Sequence, residues 1–179
     1  MRIVYIANVR FPTIKAHGIQ IAKMCEALAA QGVDLTLVVP KKGQYTDPFV
    51  FYDLKTKFRI KRIWVINILP ATQIGFLLST MSFAAASFFY LLFHRADDVI
   101  YSIDIDHLSF LGIVFFSRPC FFEMHAPRQN SFLNRLWFGR IAGAMAINHR
   151  VKETLEQNFP GLTGQILIAP NGVDLSRYA

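Results

Sequence analysis

The chain is 179 residues long, 53% hydrophobic and 17% charged. That length holds one domain with a full apolar core, and that composition excludes intrinsic disorder. The formal net charge of +7 favours an acidic partner: nucleic acid, anionic lipid or a phosphorylated substrate. Eleven Lys and Arg against four Asp and Glu lie in residues 1–90, and eight of each in 91–179, so the positive field belongs to the first half. No zinc spacing, RNP-like strand or basic recognition helix accompanies it, so nucleic acid is not the expected partner. Cys25 and Cys120 form no metal or disulfide framework and fit a reducing cytosol. The run from Met1 to Ile6 is too short for a signal peptide.

Residues 2–8, RIVYIAN, read as a first β-strand, followed by a loop that ends near Gly18. Ile21, Met24, Cys25 and Leu28 then follow helical spacing, and Gly32 stands where such a helix ends. Residues 33–39 are a second strand, and Pro40–Pro48 a polar loop. In residues 55–66, Lys55, Lys57, Arg59 and Lys61 alternate with apolar side chains, so a strand there carries its charges on one face, with Arg62 beside them. Such a strand is either an edge protected by lysine or a patch for anionic head groups.

From Ile63 to Phe93 there is no charged residue. Residues 74–93 are long enough to cross a bilayer, but three readings stay open: a span, a buried helix, or a helix with one face on a membrane or partner. Further strands are expected over 98–102, 119–124, 142–147 and 165–169, and helices over 106–116, 130–141 and 148–158. The alternation predicts an α/β fold, a Rossmann-like three-layer αβα sandwich with a mostly parallel sheet of six to seven strands.

Parallel sheets bind ligands at the carboxyl ends of their strands, so the residues there are the candidates. Arg10, Lys15, His17 and Gly18 follow the first strand. A glycine ahead of a helix either turns the chain or lets a phosphate approach the helix terminus, and a single glycine is not a dinucleotide fingerprint. Asp104 and Asp106 are too few ligands for a metal, and Asp106 suits a helix cap. His125 ends another strand close to Arg128, where an imidazole is either structural or meets a substrate hydroxyl. His94, His107 and His149 show no pattern. Asn171 and Gly172 punctuate the chain after the last strand.

The set RIVYIAN, KAHGIQIAKMCEALAAQGVDLTLVVP, FEMHAP, AINHRVKETLEQNF and APNGVD, in this order, resembles the N-terminal domain of GT-B fold retaining glycosyltransferases, family 4 (group 1). The resemblance implies a Rossmann-like acceptor-side domain over 1–170, the start of an interdomain linker over 171–179, and a donor-binding domain, with its Glu-x7-Glu motif, outside a chain ending at Ala179. It implies that His125 hydrogen-bonds the donor sugar near the reacting centre. His17 and Gly18 would lie near the donor phosphates, although the family loop often reads Gly-Gly. Asn171 and Gly172 would begin the interdomain hinge, while Arg10, Lys15 and Arg128 are contacts for acceptor or phosphate. The expected partners are a nucleotide-sugar, with no metal or other cofactor, and a lipid-linked or glycan acceptor. A peripheral site on the inner face of a cytoplasmic membrane follows, through Lys55, Lys57, Arg59, Lys61 and Arg62. The alternative is a non-catalytic binding or membrane-docking module of the same fold. A nucleotide-binding oxidoreductase half is disfavoured: there is no GxGxxG, and Pro40 and Lys41 stand where an acidic residue would end the second strand.

Overall fold

The computed structural model describes residues 1–43, 46–68, 72–94, 98–104, 109, 112–170 and 172. Seven strands form one sheet: β1 (Arg2–Ile6), β2 (Asp34–Pro40), β3 (Arg59–Ile63), β4 (Val99–Ile103), β5 (Cys120–Met124), β6 (Gly143–Ala146) and β7 (Ile166–Ile168). Their order is β3-β2-β1-β4-β5-β6-β7, and every pairing is parallel. The helices are α1 (Ala16–Ala30), α2 (Pro48–Phe51), α3 (Gln73–Leu92), α4 (Phe132–Phe138) and α5 (His149–Asn158).

Strand alternation divides the core in two. Ile3, Tyr5, Leu35, Leu37, Val39, Tyr101 and Ile103 pack under α1 and α2, against Ile21, Cys25 and Tyr52. Val4, Ile6, Val38, Ile100, Phe122, Met124 and Ile166 pack on the other face, against Phe83, Leu91, Trp137, Phe138, Val151 and Leu155 of α3, α4 and α5. A sheet covered on both faces needs strands apolar on both sides, which is why β1, β2 and β5 read as nearly continuous apolar runs. Ser102 is the polar exception in β4, and its hydroxyl donates to the Ile6 carbonyl at 2.7 Å. Side-chain caps set the starts of α3, α4 and α5: Thr72 accepts from the Gly75 amide, Ser131 from Asn134 and Asn148 from Val151. Gly32, at φ +78°, follows the end of α1 as the left-handed residue that closes a helix.

Several boundaries differ from the sequence reading. The helix expected over 130–141 is only seven residues, Phe132–Phe138, because Ser131 caps it and Gly139 ends it. Within the stretch expected as a helix over 106–116, the described residues hold a short 3₁₀ turn at Ile113–Phe115, and Asp106 and His107 lie outside the described residues. β3 begins at Arg59, so Lys55 and Lys57 precede it. The first helix begins at Ala16, which puts His17 and Gly18 inside its first turn rather than ahead of it.

α3 connects edge strand β3 to central strand β4 and packs along the sheet. Gly75, Ser79, Phe83, Ser87 and Leu91 are spaced i, i+4 and form its buried ridge. Small hydroxyl residues alternate there with large apolar ones, so the helix approaches the strands closely. The Ser82 hydroxyl accepts the Ile66 amide at 2.9 Å and fastens the incoming loop. At the far end Arg118 donates to the Leu91 and His94 carbonyls, at 2.8 and 2.7 Å, a cation placed at a helix C-terminus. The helix is long and apolar enough to cross a membrane by composition, yet it joins two parallel strands of one sheet, an arrangement that does not accommodate crossing.

Candidate functional site

The chain winds outward from β1 through β2 to β3, then returns to the centre and winds the other way from β4 to β7. The strand order therefore reverses between β1 and β4, and the crevice of a doubly wound sheet opens beyond the carboxyl ends of those two strands. The Asn8 amide crosses that point and donates to the Ser109 hydroxyl at 2.8 Å.

The loop after β1 is anchored from beneath. Val9 and Phe11 are buried, and the Phe11 ring lies 5.3 Å from that of Tyr52. The Tyr52 hydroxyl donates to the Thr13 carbonyl at 2.8 Å and accepts the Thr13 amide at 2.7 Å. Gly18 is the residue that makes room for this arrangement. A Cβ there would collide with the Thr13 side chain and lie 2.7 Å from the Tyr52 hydroxyl. The Gly18 amide donates to the Lys15 carbonyl at 2.9 Å. His17 is half-buried, and burial together with nearby Lys15 lowers its pKa, favouring the neutral ring. Arg10 and Lys15 are exposed, and the Arg10 guanidinium leans toward Gly43.

At the end of β5 a polar cluster is set into the apolar layer beneath α1. Glu123 and His125 are two residues apart, so both point to the α1 face, as does Tyr101 on neighbouring β4. Glu123 is 3% exposed. His125 Nε2 lies 3.0 Å from Glu123 Oε1, the Tyr101 hydroxyl donates to Oε2 at 3.1 Å, and the Gln20 side-chain amide of α1 donates to Oε1. Three polar side chains thus meet one buried carboxylate. Burial, and next the Glu123 charge, push the Tyr101 phenol far above its ordinary pKa, which keeps it a donor. Gln20, Tyr101 and Glu123 were not singled out from the sequence. Residues two apart share one face of a strand, which is the signal for Glu123, but nothing in the sequence brings residues 20 and 101 to it.

Arg128 and Asp104 form a second pair at the same edge: Arg128 Nη2 donates to Asp104 Oδ1. The Asp104 side chain is 1% exposed and that of Arg128 19%. The guanidinium expected to contact acceptor or phosphate is paired with an internal carboxylate. Asn158 of α5 fixes the Arg128 carbonyl at 2.7 Å. Among the described residues no group of three His, Cys, Asp or Glu could hold a metal. Asn171 lies outside the described residues, and Gly172 is exposed with open space around it.

The basic residues divide. Arg59 and Lys61 share the strand face of Val38, the α3 side, and Arg59 pairs with Asp34. Arg62, in register with Val39, points to the α1 side. The amides of Lys55 and Thr56 donate to Glu26 Oε1 of α1 at 2.5 and 3.3 Å, which ties this turn to the helix.

No known family model matches the sequence, and no curated protein matches it. Solved structures do match it in fold. The catalytic domain of starch synthase IV from Arabidopsis thaliana, bound to ADP and acarbose, superposes with a TM-score of 0.67 at 11% identity, over 99% of this chain and 52% of that one. MurG of Acinetobacter baumannii gives 0.50 at 12% identity, over 97% and 46%. UGT2 of Phytolacca americana, complexed with UDP-2fluoro-glucose and pterostilbene, gives 0.54 at 10% identity, over 96% and 54%. These are GT-B glycosyltransferases, and the chain has the Rossmann-like fold of one half of them. It spans about half the length of the structures it matches.

Proposed function

We propose that this chain is the acceptor-side half of a retaining glycosyltransferase of the family 4 type, moving a sugar from a nucleotide-sugar to a lipid-linked or polysaccharide acceptor. The observation that carries the reading is the near-complete superposition of the chain on about half of a starch synthase catalytic domain bound to ADP and acarbose. The buried Glu123 cluster supports it, because it holds His125 at the strand edge where such a fold binds ligands. In this reading residues 1–170 are the domain, 171–179 begin the linker, and a donor-binding domain completes the enzyme. His125 hydrogen-bonds the transferred sugar and is not a nucleophile. The departing diphosphate gains charge, and the positive end of α1, with His17 and Gly18 in its first turn and Arg10 and Lys15 nearby, stabilises it. No metal takes part.

The test is a titration of ¹⁵N-labelled chain with UDP-sugars and GDP-sugars, followed by amide shifts. Weak binding is expected, with Kd on the order of millimolar and shifts confined to residues 8–20 and 123–128. Tight binding would show that the domain has a complete donor site of its own and overturn the division of labour. Shifts that are absent at the crevice would agree with a donor site held mainly by the other domain.

A second reading, a membrane-docking module, is favoured by one observation. The outward face of α3 carries Ile74, Leu77, Met81, Phe89 and Leu92, all exposed. Arg59 and Lys61 border that helix on the edge strand. The two readings combine if a lipid-linked acceptor is met at the inner face of a membrane. Co-sedimentation with phosphatidylglycerol vesicles, but not phosphatidylcholine vesicles, is expected and should weaken in high salt. Met81→Glu should abolish it, and equal binding to both lipids would remove the electrostatic part of the reading.

A further inference from the structure

We propose that Glu123 is a positioning residue, which holds His125 as the Nε2–H tautomer and leaves Nδ1 as an acceptor for a ligand hydroxyl. The inference rests on the reading of the crevice as a sugar site, and it names how His125 recognises that sugar.

The argument begins with the carboxylate. Glu123 is 3% exposed and cannot turn to water, so the atoms that face it must be donors. His125 Nε2 lies 3.0 Å from Oε1. A bare Nε2 there would set a lone pair against a carboxylate oxygen, so the proton sits on Nε2. The Gln20 amide nitrogen is 3.3 Å from the same Nε2 and donates to Glu123 Oε1; its second N–H, turned to a bare Nε2, would still leave that ring nitrogen without a proton facing Oε1 at 3.0 Å. Tyr101 holds the other oxygen, Oε2, at 3.1 Å, which stops the carboxylate from rotating away from the ring. In the neutral imidazole the remaining nitrogen, Nδ1, is then an acceptor, and it makes no hydrogen bond among the described residues. The His125 side chain is 26% exposed. An acceptor nitrogen at the strand end meets an O–H donor and not a phosphate oxygen. The geometry therefore selects a sugar hydroxyl for this residue and leaves phosphate to the α1 terminus. The same device, a buried carboxylate behind an imidazole, fixes ring orientation in metal and catalytic sites generally.

The experiment is long-range ¹H–¹⁵N correlation on the full chain labelled at histidine, above the pH at which the ring protonates, with His125→Gln supplying the assignment. Wild-type His125 is expected to show the Nε2–H pattern. Glu123→Gln keeps an acceptor at the same place and should retain it. Glu123→Leu should lose it, giving the mixed pattern of a free imidazole. An Nδ1–H ring in the wild type overturns the proposal without need of any variant. A folded Glu123→Leu chain that keeps the Nε2–H pattern overturns it as well. Hexose or nucleotide-sugar titration reads the other question separately. An Nε2–H ring with no sugar response supports the positioning role and counts against the sugar reading. A sugar response at an Nδ1–H ring does the reverse.

Discussion

The two long helices lie on opposite faces of one sheet and obey opposite rules. α1 buries Ile21, Ala22 and Cys25, and turns its charged Lys23 and Glu26 toward one another at 2.9 Å near the surface. α3 buries Ser79, Thr80 and Ser87 beside Phe83 and Leu91, and exposes Ile74, Leu77, Met81 and Phe89. Each makes a good interface with strands, because the sheet asks only for close approach. What differs is the outer surface. α1 is finished against water, whereas α3 presents the kind of side chains that other proteins place inside. Composition alone does not say which surface is inner: a helix without charge admits several placements, and this one buries small residues beside Phe83 and Leu91.

The largest effect separates the two faces of α3. Phe83→Ala removes a fully buried ring and should cost about 3–5 kcal/mol in urea unfolding. Phe89→Ala, on a ring 55% exposed, should stay within about 0.5 kcal/mol. Equal losses would mean that the outer face of α3 is packed in the folded chain, and the contrast would fail.

The middle effect concerns the start of α1. Gly18→Ala should destabilise the fold by about 1–3 kcal/mol, since the added methyl meets the Thr13 side chain and the Tyr52 hydroxyl. Adding Tyr52→Phe should recover little, because the Thr13 contact remains. A neutral Gly18→Ala would show that the loop yields, and that the glycine serves something other than packing.

Smallest is the dependence on acid, which falls on α1 and not on the uncharged α3. Burial, and next Lys15, depress the His17 pKa from its ordinary 6.5. For Glu26, burial pushes upward but is outweighed by Lys23 and the Lys55 and Thr56 amides, so its pKa falls below the ordinary 4.5. In both cases the unfolded chain takes up protons first as acid is added. The stability these groups supply is complete above the ordinary values and is lost as the pH falls through the lower folded ones. Unfolding curves from pH 7 to 3 should therefore weaken in two stages, first below 6.5 and then below 4.5. His17→Asn should flatten the first stage and Glu26→Gln the second.

Much of this architecture was legible in the residues. Short, nearly continuous apolar runs marked the strands, and their alternation with helical spacing marked a parallel sheet. The limits of α4 were not legible, because an apolar stretch running past a capping Ser131 and a terminating Gly139 looks longer than the helix it makes. His125 was legible as a strand-end histidine, since the carboxyl edge of a parallel sheet is where chemistry collects. Its supports were not. Gln20 and Tyr101 reach Glu123 only because β4 inserts beside β1 and α1 lies across both, a relation of topology between residues far apart in sequence. Arg128 was legible as a cation in the right place, but its partner Asp104 could be assigned only from the fold.

The strand order also sets a timetable for assembly. β1 is central, and one of its neighbours is β4, with Ile3 in register with Val99. A chain emerging from its N-terminus can pair β1 with β2 and β2 with β3, but the other edge of β1 waits for almost a hundred further residues. The uncharged helix α3 must be made and held during that interval. Parallel pairings between distant segments form slowly and leave sticky edges open while they do. A nascent chain of this protein thus has its most apolar segment in the open while its central strand is half-paired.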